Sequence, residues 1–455
     1  MAIGVVLIGV SALLALTACA ERTNDYTAAV SLRPAGDYWR VTFQTDMPAT
    51  QLAFARTVDR SRQRRWSFAD EDYVLVHERG SDLVRRRDGA PFSSVRIDVP
   101  ASYTPLPKEY AAFSPFANGG VLAYTGRYHV CPEECGAEGM PSSPARWKFT
   151  LEVPESTSTI VLGSVRQGPA TWIDAAPGTK VYVGPDSPRQ TEDFIAVVDE
   201  ALPPRIANLL GGLLPGLMAF YAERLEPPAR KPMLFASYDP DYGRGYGRQG
   251  GTLPGQVFMH FYGPGWAGED GAAGATTSAA GIALFFAHEA AHLFQTRPGV
   301  RPDDAVAWLH EGGADAFALI ALRAMAVVPA EFAAQTLSIA FDDCVAGLGQ
   351  RPLNAAASAG AYRDHYACGL LMNMAADAAV RRASGGKHDL FDIWRAFLAT
   401  AESTSRWHQD DFLGVLRSHA GEDTAAFLES LTAESHADPA EHLKTGLQRA
   451  GLAPA

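Results

Sequence analysis

The sequence predicts a multidomain α+β chain. An N-terminal β-sandwich-like domain is expected over residues 37–190, a mixed domain over 191–328 and a helical domain over 329–455. Three observations carry that prediction. The 455 residues suffice for two or three domains of roughly 150 each. Hydrophobic periodicity changes from alternating to helical near residue 190. An uncharged apolar leader stands ahead of both parts.

Composition narrows the function classes. Hydrophobic residues make up 47% and charged residues 20%, so a packed core is expected and a disordered or coiled-coil chain is not. The 39 Lys and Arg against 51 Asp and Glu leave a net charge of −12, with no basic excess to neutralise nucleic-acid phosphates. The local basic run Arg60-Ser61-Arg62-Gln63-Arg64-Arg65, echoed by Arg85, Arg86 and Arg87, reads as a solvated strand face.

Residues 2–18 are apolar or small, a length marginal for a membrane span and typical of an export signal. The run ends in Leu16-Thr17-Ala18-Cys19, which resembles the lipobox of bacterial lipoproteins. That resemblance implies a signal peptide over 1–18 and a lipid anchor on Cys19, with 19–36 as a linker. The mature protein would then sit on a bacterial membrane, facing the periplasm. An uncleaved anchor helix is the alternative, and both readings place the chain outside the cytoplasm.

Cys131, Cys135, Cys344 and Cys368 remain, an even number suited to an oxidising compartment. They allow three pairings, of which Cys131 with Cys135 and Cys344 with Cys368 keeps each bridge within one region. A metal site in the stretch His129-Val130-Cys131-Pro132-Glu133-Glu134-Cys135 is the rival.

The β domain is justified by short alternating runs such as Tyr38-Trp39-Arg40-Val41-Thr42-Phe43 and Trp147-Lys148-Phe149-Thr150-Leu151, broken by Gly, Pro, Ser and Asp. In the mixed domain, strand-like runs over 232–238 and 256–262 flank a Gly/Tyr/Arg loop over 242–251. From residue 305 onward the pattern is helices joined by short loops.

Chemistry concentrates in the apolar helix that follows. His288-Glu289-Ala290-Ala291-His292 places two imidazoles one turn apart on one face, where both reach one metal ion. Glu289 stands beside them, placed to take a proton from water. Burying two His and a Glu among Leu and Phe without partners is expensive, which argues for a site. Eighteen residues separate His292 from Glu311, in Trp308-Leu309-His310-Glu311-Gly312-Gly313-Ala314-Asp315. Glu311 is the expected third ligand, leaving one tetrahedral position open, as in catalytic zinc sites. Asp315, one turn on, is placed to accept a hydrogen bond from a ligand imidazole.

This arrangement resembles the gluzincin metallopeptidases, especially the glycyl-aminopeptidase and membrane alanyl-aminopeptidase families. The resemblance implies a thermolysin-like catalytic domain over 191–328, one Zn2+ per chain and a peptide or protein substrate. It covers most of residues 37–452. In these families a Tyr shortly before a Gly, opening a downstream helix, stabilises the oxyanion. Tyr366 in Tyr366-Ala367-Cys368-Gly369 matches, with Tyr362 as alternate. Two departures stand out. The stretch Gly250-Gly251-Thr252-Leu253-Pro254-Gly255-Gln256 has no carboxylate where the aminopeptidases carry an amine-binding Glu. The chain also ends near where the PDZ domain of the glycyl-aminopeptidases would begin. Gln256, His260, His310 and His365 are possible substrate contacts. The expected function is therefore a zinc metallopeptidase with Glu289 as general base. The alternatives are an aminopeptidase with a relocated amine-binding carboxylate and a non-catalytic metal-binding lipoprotein.

Overall fold

The computed structural model describes residues 26–107, 109–135, 145–185, 187–267, 278–297, 299–300, 306–349 and 351–452. The leader 1–18 and Cys19 lie outside the described residues.

Among the described residues, three sheets make up the N-terminal part. The largest runs in the order Ala170–Ala175, Arg146–Leu151, Ala28–Ala35, Tyr38–Ala49, Phe92–Pro100, Ser67–Phe68. Strand alternation builds it: Trp39, Val41 and Phe43 are buried, while Tyr38, Arg40 and Thr42 between them are half-exposed. Sheets of four and five strands close over the same core, which holds Phe43, Trp147 and Phe149. The single sandwich expected over 37–190 is thus three sheets. The linker expected over 19–36 is corrected too: Ala28–Ala35 is an interior strand with Val30 and Leu32 buried. Its parallel partner, Arg146–Leu151, lies more than a hundred residues downstream, so nothing local marked it.

The basic run is a second correction. Ser61–Arg65 is a short helix, and Arg62 is fully buried, 2.8 Å from Asp82 and 4.1 Å over the Phe54 ring. A guanidinium tolerates such burial when a carboxylate and aromatic faces replace water.

The second half opens with a mixed sheet, ordered Arg189–Gln190, Ile195–Val198, Met233–Asp239, Gln256–Tyr262, Gly247–Leu253. Part of the expected loop over 242–251 is therefore its antiparallel edge strand. Helix Pro204–Arg224 is long and apolar enough to cross a membrane, but Leu210, Leu214 and Leu217 are buried in the protein core. One continuous core extends from Phe194 to Ala450, so the boundary drawn at 328 separates compositions and not cores. A smaller core joins Leu122, Tyr124 and Tyr182 of the β domain to Val197, Phe235 and Phe258 of the mixed sheet.

Both disulfides stay within one region. Cys131 pairs with Cys135, and Cys344 ties helix Ala330–Leu348 to Cys368 on helix Arg363–Ser384. Bridged sulfurs leave no thiolates for a metal at 129–135; His129 instead meets Asp174 at 3.1 Å and stacks on Trp147.

Candidate metal centre

The helix that carries the two histidines, Ala279–Gln295, begins where Ser278 Oγ accepts a hydrogen bond from the Gly281 N–H. Its second half is buried almost completely, and the four-residue spacing brings His288 Nε2 and His292 Nε2 to 3.0 Å. Helix Ala307–Ala324 packs beside it and places Glu311 Oε2 3.4 Å from each of those nitrogens. The three ligand atoms lie within 4.8 Å of one another.

The outer ring nitrogens are occupied. His288 Nδ1 lies 2.7 Å from Asp315 Oδ1, and His292 Nδ1 lies 2.8 Å from Gln295 Oε1. Each acceptor holds a proton on Nδ1 and leaves the Nε2 lone pair facing inward, as metal binding requires. Two inward imidazoles and a carboxylate are the donor set of an open zinc site, so the residues fit that ion. Asp315 was expected; Gln295 was not, although its spacing three residues after His292 was a visible signal. The absent side chain of Gly313 makes room for it, since a Cβ there would lie 3.0 Å from Gln295 Nε2.

Charge distribution follows from these contacts. Burial opposes a charged His288, yet the Asp315 carboxylate beside it drives its pKa well up. Burial likewise opposes a charged Glu311, but the rings of His288, His292 and His310 hold it far below the carboxylate range. Burial and His292 push His310 down to about 4, so that ring stays neutral.

Glu289 is buried, and Thr252 Oγ1 on the edge strand lies 2.6 Å from its Oε2. Tyr366 stacks at 5.9 Å from the His288 ring and is 40% exposed. Its phenol is pushed far up by burial and then by Glu311, Glu289 and Asp315, so it remains a hydrogen-bond donor. Close helix packing brings it there. A Cβ on Gly312 would fall 2.2 Å from the Gly369 carbonyl carbon, so only glycine permits the crossing one turn beyond Tyr366. Tyr362 stands exposed just before the same helix.

The remaining expected contacts divide. His310 joins the centre, stacked 4.1 Å from His292 and 3.1 Å from Glu311 Oε1. Gln256 is fully buried and holds Thr179 and Lys180 of the β domain, so it is corrected to an interdomain tie. His260 is also turned inward, 2.8 Å from Ser237 Oγ with its ring centre 3.9 Å from that of Tyr103, and burial pushes it down to about 3. Both lie on Gln256–Tyr262, an inner strand covered on both faces. His365 is 1% exposed. Tyr110 is an unexpected arrival from the β domain: a Cβ on Gly251 would lie 2.4 Å from its hydroxyl. Burial, then the Glu289 charge, raises that phenol as well. A cavity of about 990 Å³ in the β domain, bordered by Arg56, Glu109, His129 and Trp147, includes none of the candidate metal ligands.

By sequence, the chain matches no family model and no curated protein. Solved structures do match. The aminopeptidase N family protein from Idiomarina loihiensis aligns with a TM-score of 0.62 at 13% identity, over 90% of this chain and 76% of that one. A mutant M1 zinc metallopeptidase from Deinococcus radiodurans, bound to a Tyr-Ser-Ala substrate, aligns with a TM-score of 0.50 at 14% identity, over 90% and 94%. The fold is that of the M1 zinc metallopeptidases. Within this M1-like fold, the two ligand-bearing helices occupy the core shared by the mixed sheet and the C-terminal helices.

Proposed function

We propose that the chain is a zinc-dependent peptidase that hydrolyses peptide bonds with Glu289 as general base. The convergence of His288 Nε2, His292 Nε2 and Glu311 Oε2, with both Nδ1 atoms capped, carries this reading. His288, His292 and Glu311 would hold a zinc ion, which when bound would supply Lewis acidity toward water and the substrate carbonyl. Glu289 accepts the proton of the attacking water and returns it to the leaving amine. Tyr366, held protonated by burial and the carboxylates around it, donates a hydrogen bond to the developing oxyanion. The M1-like fold and the peptide bound by one neighbour support a peptide substrate.

A mixed peptide library incubated with the zinc-loaded protein tests the reading. Cleavage should occur, stop with chelator, return with zinc, and be absent in Glu289→Gln. Cleavage that ignores the chelator, or none at all, overturns it.

The location belongs to the same proposal. The lipobox reading makes Cys19 the lipidated first residue of a mature chain facing the periplasm, and two disulfides suit that compartment. Fatty-acid labelling that persists in Cys19→Ser would reject it.

A further inference from the structure

We propose that Thr252 is a positioning residue for Glu289, fixing the carboxylate in the orientation from which it serves the metal centre. The inference rests on the peptidase reading and deepens it.

Thr252 Oγ1 lies 2.6 Å from Glu289 Oε2 and 2.9 Å from the backbone carbonyl of the same residue. The hydroxyl has one proton to donate, and both acceptors within its reach belong to Glu289, the carboxylate oxygen being the nearer. Donation to Oε2 restricts a side chain that otherwise has ample rotamer freedom. With Oε2 committed to Thr252, Oε1 is the oxygen left for water and substrate.

The edge strand is built to bring this hydroxyl close. Along Gly247–Leu253, side chains alternate between two faces. Gly251 faces Tyr110, and Leu253 enters the core shared with the β domain. Gly250 and Thr252 take the other face, toward the helix that carries Glu289. A Cβ on Gly250 would lie 3.2 Å from the Phe285 ring and 2.6 Å from the Phe258 carbonyl oxygen. Glycine therefore lets strand and helix approach closely enough for a side chain as short as threonine to span them.

A hydroxyl also suits the task chemically. It donates to a carboxylate and accepts from a carboxylic acid, so the contact fits either form of Glu289. It adds no charge beside His288 and Glu311, which an ammonium at this place would do.

The test compares Thr252→Val, which keeps the branched shape without the hydroxyl, with Thr252→Ser, which restores the hydroxyl. Zinc-loaded proteins are assayed on a peptide that the parent protein cleaves, zinc affinity is measured by chelator competition, and both variants are crystallised. In Thr252→Val, kcat should fall roughly tenfold to a hundredfold, the range for losing a hydrogen bond to a charged group, with KM changed less than about threefold. Zinc affinity should hold, and Thr252→Ser should recover kcat to within about threefold. Crystals of Thr252→Val should show the Glu289 carboxylate released into other rotamers between unmoved backbones. Unchanged kcat, no recovery by serine, lost zinc, or a Glu289 carboxylate that stays in place without the hydroxyl would each overturn the proposal. If the parent protein cleaves no peptide, the peptidase reading fails, and the crystal comparison still decides whether Thr252 holds Glu289.

Discussion

His292 Nδ1 and Gln295 Oε1 meet at 2.8 Å within one helix, whereas His288 Nδ1 meets the Asp315 carboxylate of the neighbouring helix at 2.7 Å. The two ligand rings are therefore held by different chemistry, a neutral amide for one and a charged acceptor for the other. A carboxylate raises the basicity of the ring it holds more than an amide does. Gln295→Leu and Asp315→Ala should each weaken zinc retention roughly tenfold to a hundredfold, with Asp315→Ala the more severe. Competition with a chromophoric chelator measures this, and undiminished affinity in both variants would contradict it.

The centre was legible wherever its parts are close in sequence. His288, Glu289, His292, Glu311 and Asp315 lie on two successive helices, where four-residue spacing groups His288 with His292 and Glu311 with Asp315 on single faces. Thr252 and Tyr110 reach the same centre through strand placement and domain packing, which no spacing encodes. Gln256 and His260 failed for the opposite reason. Polar residues on an apolar strand suggested a cleft, yet that strand is internal: Gln256 is hydrogen-bonded to Thr179 and Lys180, and His260 Nδ1 meets Ser237 Oγ. The strand Ala28–Ala35 was missed because its apolar positions are few and its pairing with Arg146–Leu151 is long-range.

Tyr366→Phe should retain zinc and lower kcat by about a hundredfold to a thousandfold, the usual loss for one oxyanion donor. KM should change little, because the hydroxyl is needed mainly after charge develops on the carbonyl oxygen. Tyr362→Phe is the control and should behave as the parent protein. Steady-state kinetics on one peptide decides, and equal losses in both variants would remove Tyr366 from the role.

Lys180 gives a pH signature. It is 1% exposed, and its Nζ lies 4.4 Å from the Phe258 ring centre and 5.2 Å from that of Tyr124. Burial pushes its pKa down to about 7, with Glu109 opposing the shift, against an ordinary value of 10.5. Between those two values the unfolded chain holds a proton that the folded chain lacks, so stability rises with pH through that window. Below it, both states are charged and the unfavourable burial of the ammonium is fully present. Lys180→Met should remove this contribution. Urea midpoints at pH 7 and pH 9 should show the parent protein gaining on the variant, and parallel midpoints would contradict the prediction.

Specificity turns on what the edge strand lacks. A free α-amine is largely protonated near neutral pH, so a site that selects it needs a fixed negative charge nearby. Gly247–Leu253 carries no carboxylate, and Gly251 faces the hydroxyl of Tyr110, which burial and the Glu289 charge keep protonated. The adjacent Glu109 is buried and already paired with Arg56. Asp241 is exposed in the turn that follows Asp239. A neutral phenol can donate or accept one hydrogen bond but cannot supply the charge-assisted share of amine binding. N-terminally acetylated peptides should therefore be cleaved at least as well as their free counterparts, judged by kcat/KM on matched pairs. A preference for the free amine above about tenfold, equivalent to roughly 1.4 kcal/mol of transition-state binding, would mean that another carboxylate has taken the missing role. The aminopeptidase reading would then lead, and Glu109 released from Arg56 would be the first residue to substitute.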